Sequence, residues 1–199
     1  MAICAILVYT KRYSRKNMNI FVTDPSPRVS AQSLPDKHIV KMPLETCQMA
    51  SVIYSKFHWA WEPIHKKDGE PYSTTGGFKH HPCTVWAAKS YENFAWMLSL
   101  GFEMCWEYTK RYGKQHTCEK TLNEAMCIFH NHSQMMSPDK RWHINDYVNV
   151  KDFVFAGPDE FKLDTSISIF DKYKMYIASK PWAPNNYIRI PERKPEWIG

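Results

Sequence analysis

Four polar residues, three of which have side chains suited to acid–base chemistry, follow one another on a segment that is predicted to be helical. They are spaced by three, four and three positions: His38, Lys41, Glu45 and Gln48. Such spacing stacks the side chains on one face of a helix. This face is either a solvent-exposed stripe with a Lys41–Glu45 ion pair, or one wall of an active site that offers a carboxylate, an amine and an imidazole.

A second set of polar residues lies near one stripe of the central predicted helix. Trp96 and Leu100 interrupt this stripe, whose polar members are Asn93, Glu103, Glu107 and Arg111. Glu107 and Arg111 have the i to i+4 spacing of an ion pair, which is either structural or part of a site. Because charged residues on two long helices need a common wet space or each other, we predict that the stripe of His38, Lys41 and Glu45 faces a cleft shared with Glu107 and Arg111.

Three short motifs contain the imidazole and thiol groups that zinc prefers. They are His80-His81-Pro82-Cys83, His116-x-Cys118 and His130-x-His132. None has the spacing of a CxxC or HExxH ligand pair, so we predict no metal and no cofactor and keep a metal-dependent hydrolase only as a third hypothesis. Cys83 could also be an activated thiol, although packing is the simpler interpretation.

The composition favours one folded domain with an acidic partner. A length of 199 residues suits a single core, and 44% hydrophobic residues exclude wholesale disorder. The 26 Lys and Arg residues exceed the 20 Asp and Glu residues, and aromatic residues lie near the basic clusters. This pattern suits contacts with the phosphates and bases of DNA, although an ordinary solvated surface explains it equally well. The chain has no P-loop and no GxSxG motif, which excludes P-loop nucleotide hydrolysis.

The cysteines and the first residues predict a cytoplasmic protein. The cysteines at positions 4, 47, 83, 105, 118 and 127 lack the dense spacing of a disulfide scaffold, so reduced thiols are the simpler account. The apolar stretch Ile3–Tyr9 is too short to span a bilayer, and its basic residues follow it instead of preceding it. We therefore predict no membrane segment and no export.

The pattern of elements predicts a mainly α fold, a compact helical single domain with a short N-terminal strand and a proline-rich C-terminal strap. The strand is Met18–Val22. Residues 1–17 are predicted to be an N-terminal extension and residues 18–199 the domain. The extension is either an upstream in-frame addition to a chain that starts at Met18, or a real basic arm.

Four helices are predicted within this domain. The first spans Pro35–Lys56, with Ser33 as its N-cap and a kink or break near Ile39 to Pro43. The central helix spans Thr84–Tyr112 and ends at Gly113. The other two span 118–131 and 165–179. The strap that follows is expected to be anchored by three aromatic residues: Trp182, Tyr187 and Trp197.

Specific motifs resemble those of a family of short phage and cyanophage proteins over about residues 18 to 198. The motifs are Met18-Asn19-Ile20-Phe21, Asp24-Pro25, Asp36-Lys37-His38-Ile39-Val40-Lys41-Met42 with Glu45, His81-Pro82 with Trp86, Asn93 and Trp96, Glu107-Tyr108-Thr109-Lys110-Arg111-Tyr112-Gly113-Lys114 with His116, Gly157-Pro158-Asp159-Glu160, and Pro195-Glu196-Trp197. The resemblance supports Met18 as the start of the domain. It implies a location in the cytoplasm of an infected host cell.

The order of these motifs also resembles the plan of phage pyrimidine-dimer DNA glycosylases with abasic-site lyase activity. Those compact helical proteins use an N-terminal amine as nucleophile and a helix glutamate in catalysis. The resemblance implies that Glu45 is this glutamate and that Lys41, Arg111 and Lys114 hold phosphates. The chain departs from the plan at the amine, because 17 residues precede Met18 and a bulky Asn19 disfavours removal of Met18. The nucleophile would then be the Met18 amine, Lys37 or Lys41.

The leading hypothesis is a DNA glycosylase and abasic-site lyase that acts on damaged or modified pyrimidines. Its predicted catalytic residues are Glu45, Lys41, His38 and Glu107. Its predicted DNA-binding residues are Lys37, Arg111, Lys114, His116, His81 and Asn93. The alternative is a non-catalytic module that binds nucleic acid or a host protein through the basic clusters.

Overall fold

Helices make up most of the structure, a computed structural model that describes residues 18–57, 63–75, 77–136, 150 and 152–199. The predicted extension at residues 1–17 lies outside the described residues. The helices are α1 (Pro27–Ser33), α2 (Asp36–Lys56), α3 (Pro82–Ala87), α4 (Tyr91–Tyr112), α5 (Glu119–Met136), α6 (Asp159–Lys162) and α7 (Ile169–Ala178). Two short 3₁₀ turns follow at Ala183–Asn185 and Pro191–Arg193. The predicted mainly α fold is confirmed.

The predicted strand Met18–Val22 is wrong, because the described residues contain no strand and this segment is irregular. Its side chains are nevertheless buried, as the apolar pattern indicates. The backbone N–H groups of Ile20 and Phe21 donate to the side-chain oxygen of Asn19, at 2.8 and 3.2 Å. Phe21 has φ 41°, a left-handed conformation that costs a bulky residue about 1–3 kcal/mol. The chain therefore turns where a strand would continue.

The first long helix begins one residue later than predicted and has a helix in front of it that the sequence analysis missed. Ser26 caps α1 by accepting a hydrogen bond from the Val29 N–H, so Ser33 ends α1 and does not cap α2. The residue before α2 is Pro35, which makes no side-chain cap. Of the kink or break predicted near Ile39 to Pro43, the break is wrong, because α2 continues through Pro43 to Lys56, and the kink stays a prediction.

The predicted central helix is two helices separated near Ser90. The Ser90 hydroxyl accepts a hydrogen bond from the Asn93 N–H and so starts α4. The prediction for the other end is confirmed, because Gly113 has φ 67° and terminates α4. Within α4, a Cβ atom at Gly101 would lie 2.9 Å from Cγ2 of Thr46 and 3.2 Å from both Cδ atoms of Leu122. Glycine thus lets α4 approach α2 and α5 closely.

The core lies between α2, α4 and α5, where the rings of Tyr54, Phe94 and Phe129 pack edge to face. The Tyr54 hydroxyl also donates a hydrogen bond to the Ala125 carbonyl of α5. The predicted third helix ends later than expected, at Met136, and the predicted last helix begins later, at Ile169. No helix among the described residues is long and apolar enough to cross a membrane.

The C-terminal strap crosses the start of α2, and its aromatic residues anchor it there, as the sequence predicts for their role. Tyr187 is buried and donates a hydrogen bond to the Ser33 carbonyl at 2.7 Å, while Trp182 and Trp197 are partly buried against the core. The Asp36 N–H donates to the carbonyl of Asn186 at 2.8 Å. The strap therefore occupies the position of an N-terminal cap for α2.

Candidate active site

Glu45 lies on the buried side of α2, with only 5% of its surface exposed. One carboxylate oxygen, Oε1, is 2.7 Å from the ammonium nitrogen of Lys41, one turn earlier on the same helix. The other, Oε2, accepts a hydrogen bond from the backbone N–H of Asn19 at 2.9 Å. Both oxygens therefore have a partner, one from a 59% exposed side chain and one from the buried backbone of the first described segment.

Lys41 connects this buried carboxylate with solvent. Its alkyl chain spans from the α2 backbone to Glu45, and its exposed position leaves the ammonium group accessible to a ligand. The predicted Lys41–Glu45 pair is therefore present. Its geometry combines the two predicted interpretations, because one partner is on the surface and the other is inside.

His38 is on the same face of α2 and is buried, with its ring stacked on Phe21 at 4.2 Å between centroids. The edge of the Trp182 ring packs against it at 5.4 Å. Burial, assisted by the nearby ammonium groups of Lys180 and Lys41, lowers the pKa of His38 from 6.5 to about 3. Its Nδ1 atom is buried without a hydrogen-bond partner. A neutral imidazole in this position cannot donate a proton as an imidazolium at neutral pH.

Arg111 and Glu107 belong to a second polar cluster, which ties α4 to the start of α2 and to the strap. The Arg111 guanidinium lies 3.1 Å from Oδ1 of Asp36 and 3.2 Å from Oε1 of Glu107. It also donates to the carbonyls of Leu34 and Gln32. Its side chain is 1% exposed, so its donors are used inside the protein. We therefore infer a structural role for Arg111 in place of the predicted phosphate contact.

Glu107 is also held by the strap, because Arg193 lies 2.9 Å from its Oε1 atom. Among the described residues, no hydrogen bond or ion pair joins Glu107 or Arg111 to Glu45. The cleft that these residues were predicted to share has no support in these contacts. The structure thus brings the predicted residues together as two pairs, Lys41 with Glu45 and Glu107 with Arg111.

The remaining predicted DNA-binding residues fall into an exposed and an internal group. Lys37 and Lys114 are exposed, and the ammonium of Lys37 lies 4.8 Å above the ring of Trp182. Asn93 is internal and donates to the Trp86 carbonyl at 2.9 Å. The ring of His81 caps α3 by accepting from the Cys83 N–H, and burial lowers its pKa.

His116 is buried in the connection between α4 and α5. Its Nδ1 accepts from the Cys118 N–H, and its Nε2 lies 3.1 Å from the Val40 carbonyl of α2. The pKa of Cys118 is lowered, mainly by a hydrogen bond with the Cys47 thiol and to a smaller extent by one with His116. These contacts close the turn and join it to α2, and they engage both ring nitrogens of His116, so neither is free for phosphate.

The motifs weighed for metal or thiol chemistry find little geometric support. Among the residues that the structure describes, no three His, Cys, Asp or Glu side chains converge on a possible metal site. Cys83 is fully buried, and burial raises its pKa to about 12. It is therefore protonated at neutral pH and packs in the core instead of acting as an activated thiol.

Sequence analysis missed Asn19, although this residue makes the backbone contact with Glu45 and organises the turn that contains it. The signal available was an asparagine inside an apolar run, which is unfavourable in a strand and common in turns. It also missed Asp36 as a partner of Arg111 and Arg193 as a partner of Glu107. The two members of these contacts are 75 and 86 residues apart in the sequence, beyond the reach of any periodicity.

This fold and site define a class of helical protein. In this class, a buried glutamate lies beside an exposed amine and beside the backbone of the first described segment. The sequence model of the pyrimidine dimer DNA glycosylase family matches residues 18–120, which is just over half of the 199 residues. The chain therefore belongs to that family. No curated protein and no solved structure matches it.

Proposed function

We propose that the protein is a DNA glycosylase with abasic-site lyase activity that acts on damaged or modified pyrimidines, with Glu45 and an adjacent amine at the centre of its site. The observation that carries the proposal is the pair of contacts on the Glu45 carboxylate, from Lys41 on one side and from the Asn19 backbone on the other. The family match supports the same reaction class. We also propose a phage origin and a place in the cytoplasm of an infected cell.

The reaction needs an amine that attacks the sugar carbon that carried the base. A nitrogen–carbon bond forms at this carbon as the glycosidic bond breaks, and the base leaves with the bonding electrons and takes up a proton. Loss of the amine protons and opening of the sugar ring then give an imine. Glu45, as a carboxylate close to the amine, is suited to accept a proton and to stabilise the positive charge that develops on the sugar.

Three amines are candidates for the nucleophile, and the structure favours them to different degrees. The ammonium of Lys37 lies over the Trp182 ring, and this contact does not involve Glu45. Lys41 is in contact with Glu45, but it makes this contact as the ammonium of an ion pair, and an ammonium has no lone pair with which to attack carbon. An amino terminus at Met18 would have an ordinary pKa of about 8 and would sit one residue from the Glu45 contact.

We therefore propose the Met18 amine as the nucleophile of a chain whose translation starts at Met18. Lys41 then serves as the cation next to Glu45 and as a contact for the DNA backbone. Lys37 and Lys114, which are exposed, are further phosphate contacts. The base must leave the stack to reach this site, and its unstacking is easiest where the duplex is damaged.

Borohydride trapping tests the proposal directly. Reduction of the imine would link the natively expressed protein permanently to a duplex that contains a pyrimidine dimer or an abasic site. Peptide mapping should find the sugar on the Met18 nitrogen, and intact mass should show a chain without residues 1–17. Attachment to Lys41, or a chain that retains those residues, would refute Met18 as the nucleophile and leave the lyase chemistry in place.

A matched pair of substitutions tests the role of the carboxylate. Glu45→Gln should trap poorly while remaining folded, whereas Glu124→Gln should trap like the unaltered protein. Glu124, which lies on the separate helix α5, is a suitable control because its carboxylate also pairs with another side chain, that of His65, at 2.6 Å. Equal trapping by both variants would contradict a catalytic role for Glu45.

The non-catalytic binding module stays as the second candidate, because the exposed lysines suit phosphate contacts without any reaction. Folded protein that binds damaged DNA but never becomes linked to it would favour this candidate. In either case, affinity should fall steeply between about 50 and 200 mM salt, because each neutralised phosphate releases counterions. Flat affinity over this range would argue against DNA as the partner.

A further inference from the structure

Asn19 uses nearly all of its hydrogen-bonding groups to shape the first described segment. Its side-chain oxygen accepts from the N–H groups of Ile20 and Phe21, and its side-chain nitrogen donates to the Ala156 carbonyl at 2.6 Å. Its own backbone N–H donates to Glu45 at 2.9 Å. The residue is 2% exposed, so these contacts form in the interior, where losing one is costly.

We propose that Asn19 is a positioning residue of the site, whose side chain holds the turn in which the nitrogen of residue 18 lies beside the Glu45 carboxylate. The backbone nitrogens of residues 18 and 19 are separated by only one Cα and one carbonyl carbon, a distance of about 3 Å. Fixing the Asn19 N–H on Glu45 therefore also fixes the nitrogen of Met18 near it. This inference rests on the proposed function, because it assigns a purpose to that nitrogen.

The turn is fastened on both sides, which is what a positioning role requires. On one side, the Phe21 ring stacks on His38 at 4.2 Å, so the left-handed residue is held by α2. On the other side, the Tyr173 hydroxyl donates to the Val154 carbonyl at 2.8 Å and accepts from the Ala156 N–H at 3.1 Å. The Ala156 N–H and the nearby Val154 carbonyl are therefore both held by α7, which fixes the residue whose carbonyl accepts from the Asn19 side chain.

An amide at position 19 does what neither a carboxylate nor a hydrocarbon can do. Aspartate can accept from the two N–H groups of the turn, but it cannot donate to the Ala156 carbonyl, and it adds a negative charge near the amine and Glu45. Alanine provides neither contact. The two substitutions therefore separate the geometry of the turn from the charge around the amine.

The test uses natively expressed protein whose N-terminus has been defined by intact mass. The rate of borohydride trapping is measured in single turnovers at saturating abasic-site DNA, and the dissociation constant of the DNA is measured separately. We expect Asn19→Ala to lower the trapping rate about 100-fold, the effect of misplacing a reacting group by about 1 Å. The dissociation constant should change less than about threefold, because the phosphate contacts lie elsewhere.

Asn19→Asp should instead shift the dependence of the trapping rate on pH. A carboxylate near an amine raises the pKa of that amine, so the rate should recover toward that of the unaltered protein as the pH rises. A loss that is purely structural would not move the pH profile. An unchanged profile together with an unchanged rate would overturn the proposal.

Tyr54→Phe is the matched control for general destabilisation. It removes one buried side-chain hydrogen bond, from the Tyr54 hydroxyl to the Ala125 carbonyl, at the contact between α2 and α5. The proposal is overturned if this variant slows trapping as much as Asn19→Ala at equal loss of thermal stability. It is also overturned by an N-terminus at Met1, because residue 18 would then carry a peptide nitrogen. Unaltered protein that folds but never traps refutes the proposed function itself and this inference with it.

A second readout does not depend on DNA. The rate at which an acetylating reagent modifies the Met18 amine, followed over a range of pH, reports the pKa and accessibility of that amine. In the unaltered protein we expect a rate that differs at least threefold from that of an unstructured peptide with the same first residues. Asn19→Ala should bring the two rates together, and equal rates in the unaltered protein would overturn the proposal.

Discussion

Replacing His38 by leucine should change how the stability of the protein depends on pH. The substitution removes a buried imidazole whose Nδ1 atom has no hydrogen-bond partner, and it replaces it with an apolar side chain of similar size. In the folded protein, burial lowers the pKa of His38 from 6.5 to about 3. The unfolded chain therefore binds a proton at His38 at a pH where the folded chain does not.

The sign and the size of the effect follow from this difference. Because the folded pKa is lowered, the contribution of His38 to stability is fully present above pH 6.5 and is lost as the pH falls toward 3. Each pH unit in this window is worth about 1.4 kcal/mol. Between pH 7 and pH 5, the free energy of unfolding should fall by about 2 kcal/mol more in the unaltered protein than in His38→Leu.

Urea denaturation at pH 7, 6 and 5, followed by circular dichroism, measures this difference. The comparison between the two proteins cancels the other titrating groups, and a substitution of the exposed His80 controls for the loss of one histidine. Parallel falls in stability for the unaltered protein and His38→Leu would refute the reasoning. They would mean that the imidazole gains a proton in the folded protein, and that it can act as an acid near neutral pH.

Two further predictions concern packing and the buried cluster. Arg111→Met should lower the free energy of unfolding by about 3–5 kcal/mol, because it leaves the buried carboxylates of Asp36 and Glu107 without this guanidinium. Urea denaturation measures this loss. A loss below about 1 kcal/mol would indicate that water solvates the cluster. Gly101→Ala should cost about 1–3 kcal/mol by calorimetry, because the new Cβ would lie 2.9 Å from Cγ2 of Thr46. Thr46→Ser in the same protein should recover part of that loss, and no recovery would show that the contact is not the cause.

The parts of the fold that sequence reasoning predicted are those with a local cause. Gly113 ends α4 because only glycine adopts a left-handed conformation cheaply, and this signal needs no other part of the chain. The limits of α4 were wrong at its start, because Ser90 interrupts an apolar pattern that continues on both sides of it. A short helix such as α1 was missed for a related reason, since its proline and serines equally indicate a turn.

The candidate site was predictable only in part, because its decisive contacts join distant segments. The Lys41–Glu45 pair follows from helix spacing alone. The turn at Asn19 could not be predicted, because an apolar run of five residues has the pattern of a buried strand and the Ala156 carbonyl is 137 residues away. Burial of Arg111 was equally hidden, since its i to i+4 spacing is the same for a surface pair and a buried one.

The path of the strap has a consequence for how the protein is made. The family match ends at residue 120. Beyond it, Arg193 forms an ion pair with Glu107, and the backbone N–H groups of residues 188 and 189 donate hydrogen bonds to Asp36. During synthesis at about 5–20 residues per second, the ribosome adds residue 193 roughly 4 to 15 seconds after residue 120. Until then, Asp36 and Glu107 have Arg111 as a partner but lack the contacts that the strap supplies. The segment that the family model matches therefore completes these contacts only after residues 188 to 193 have been translated.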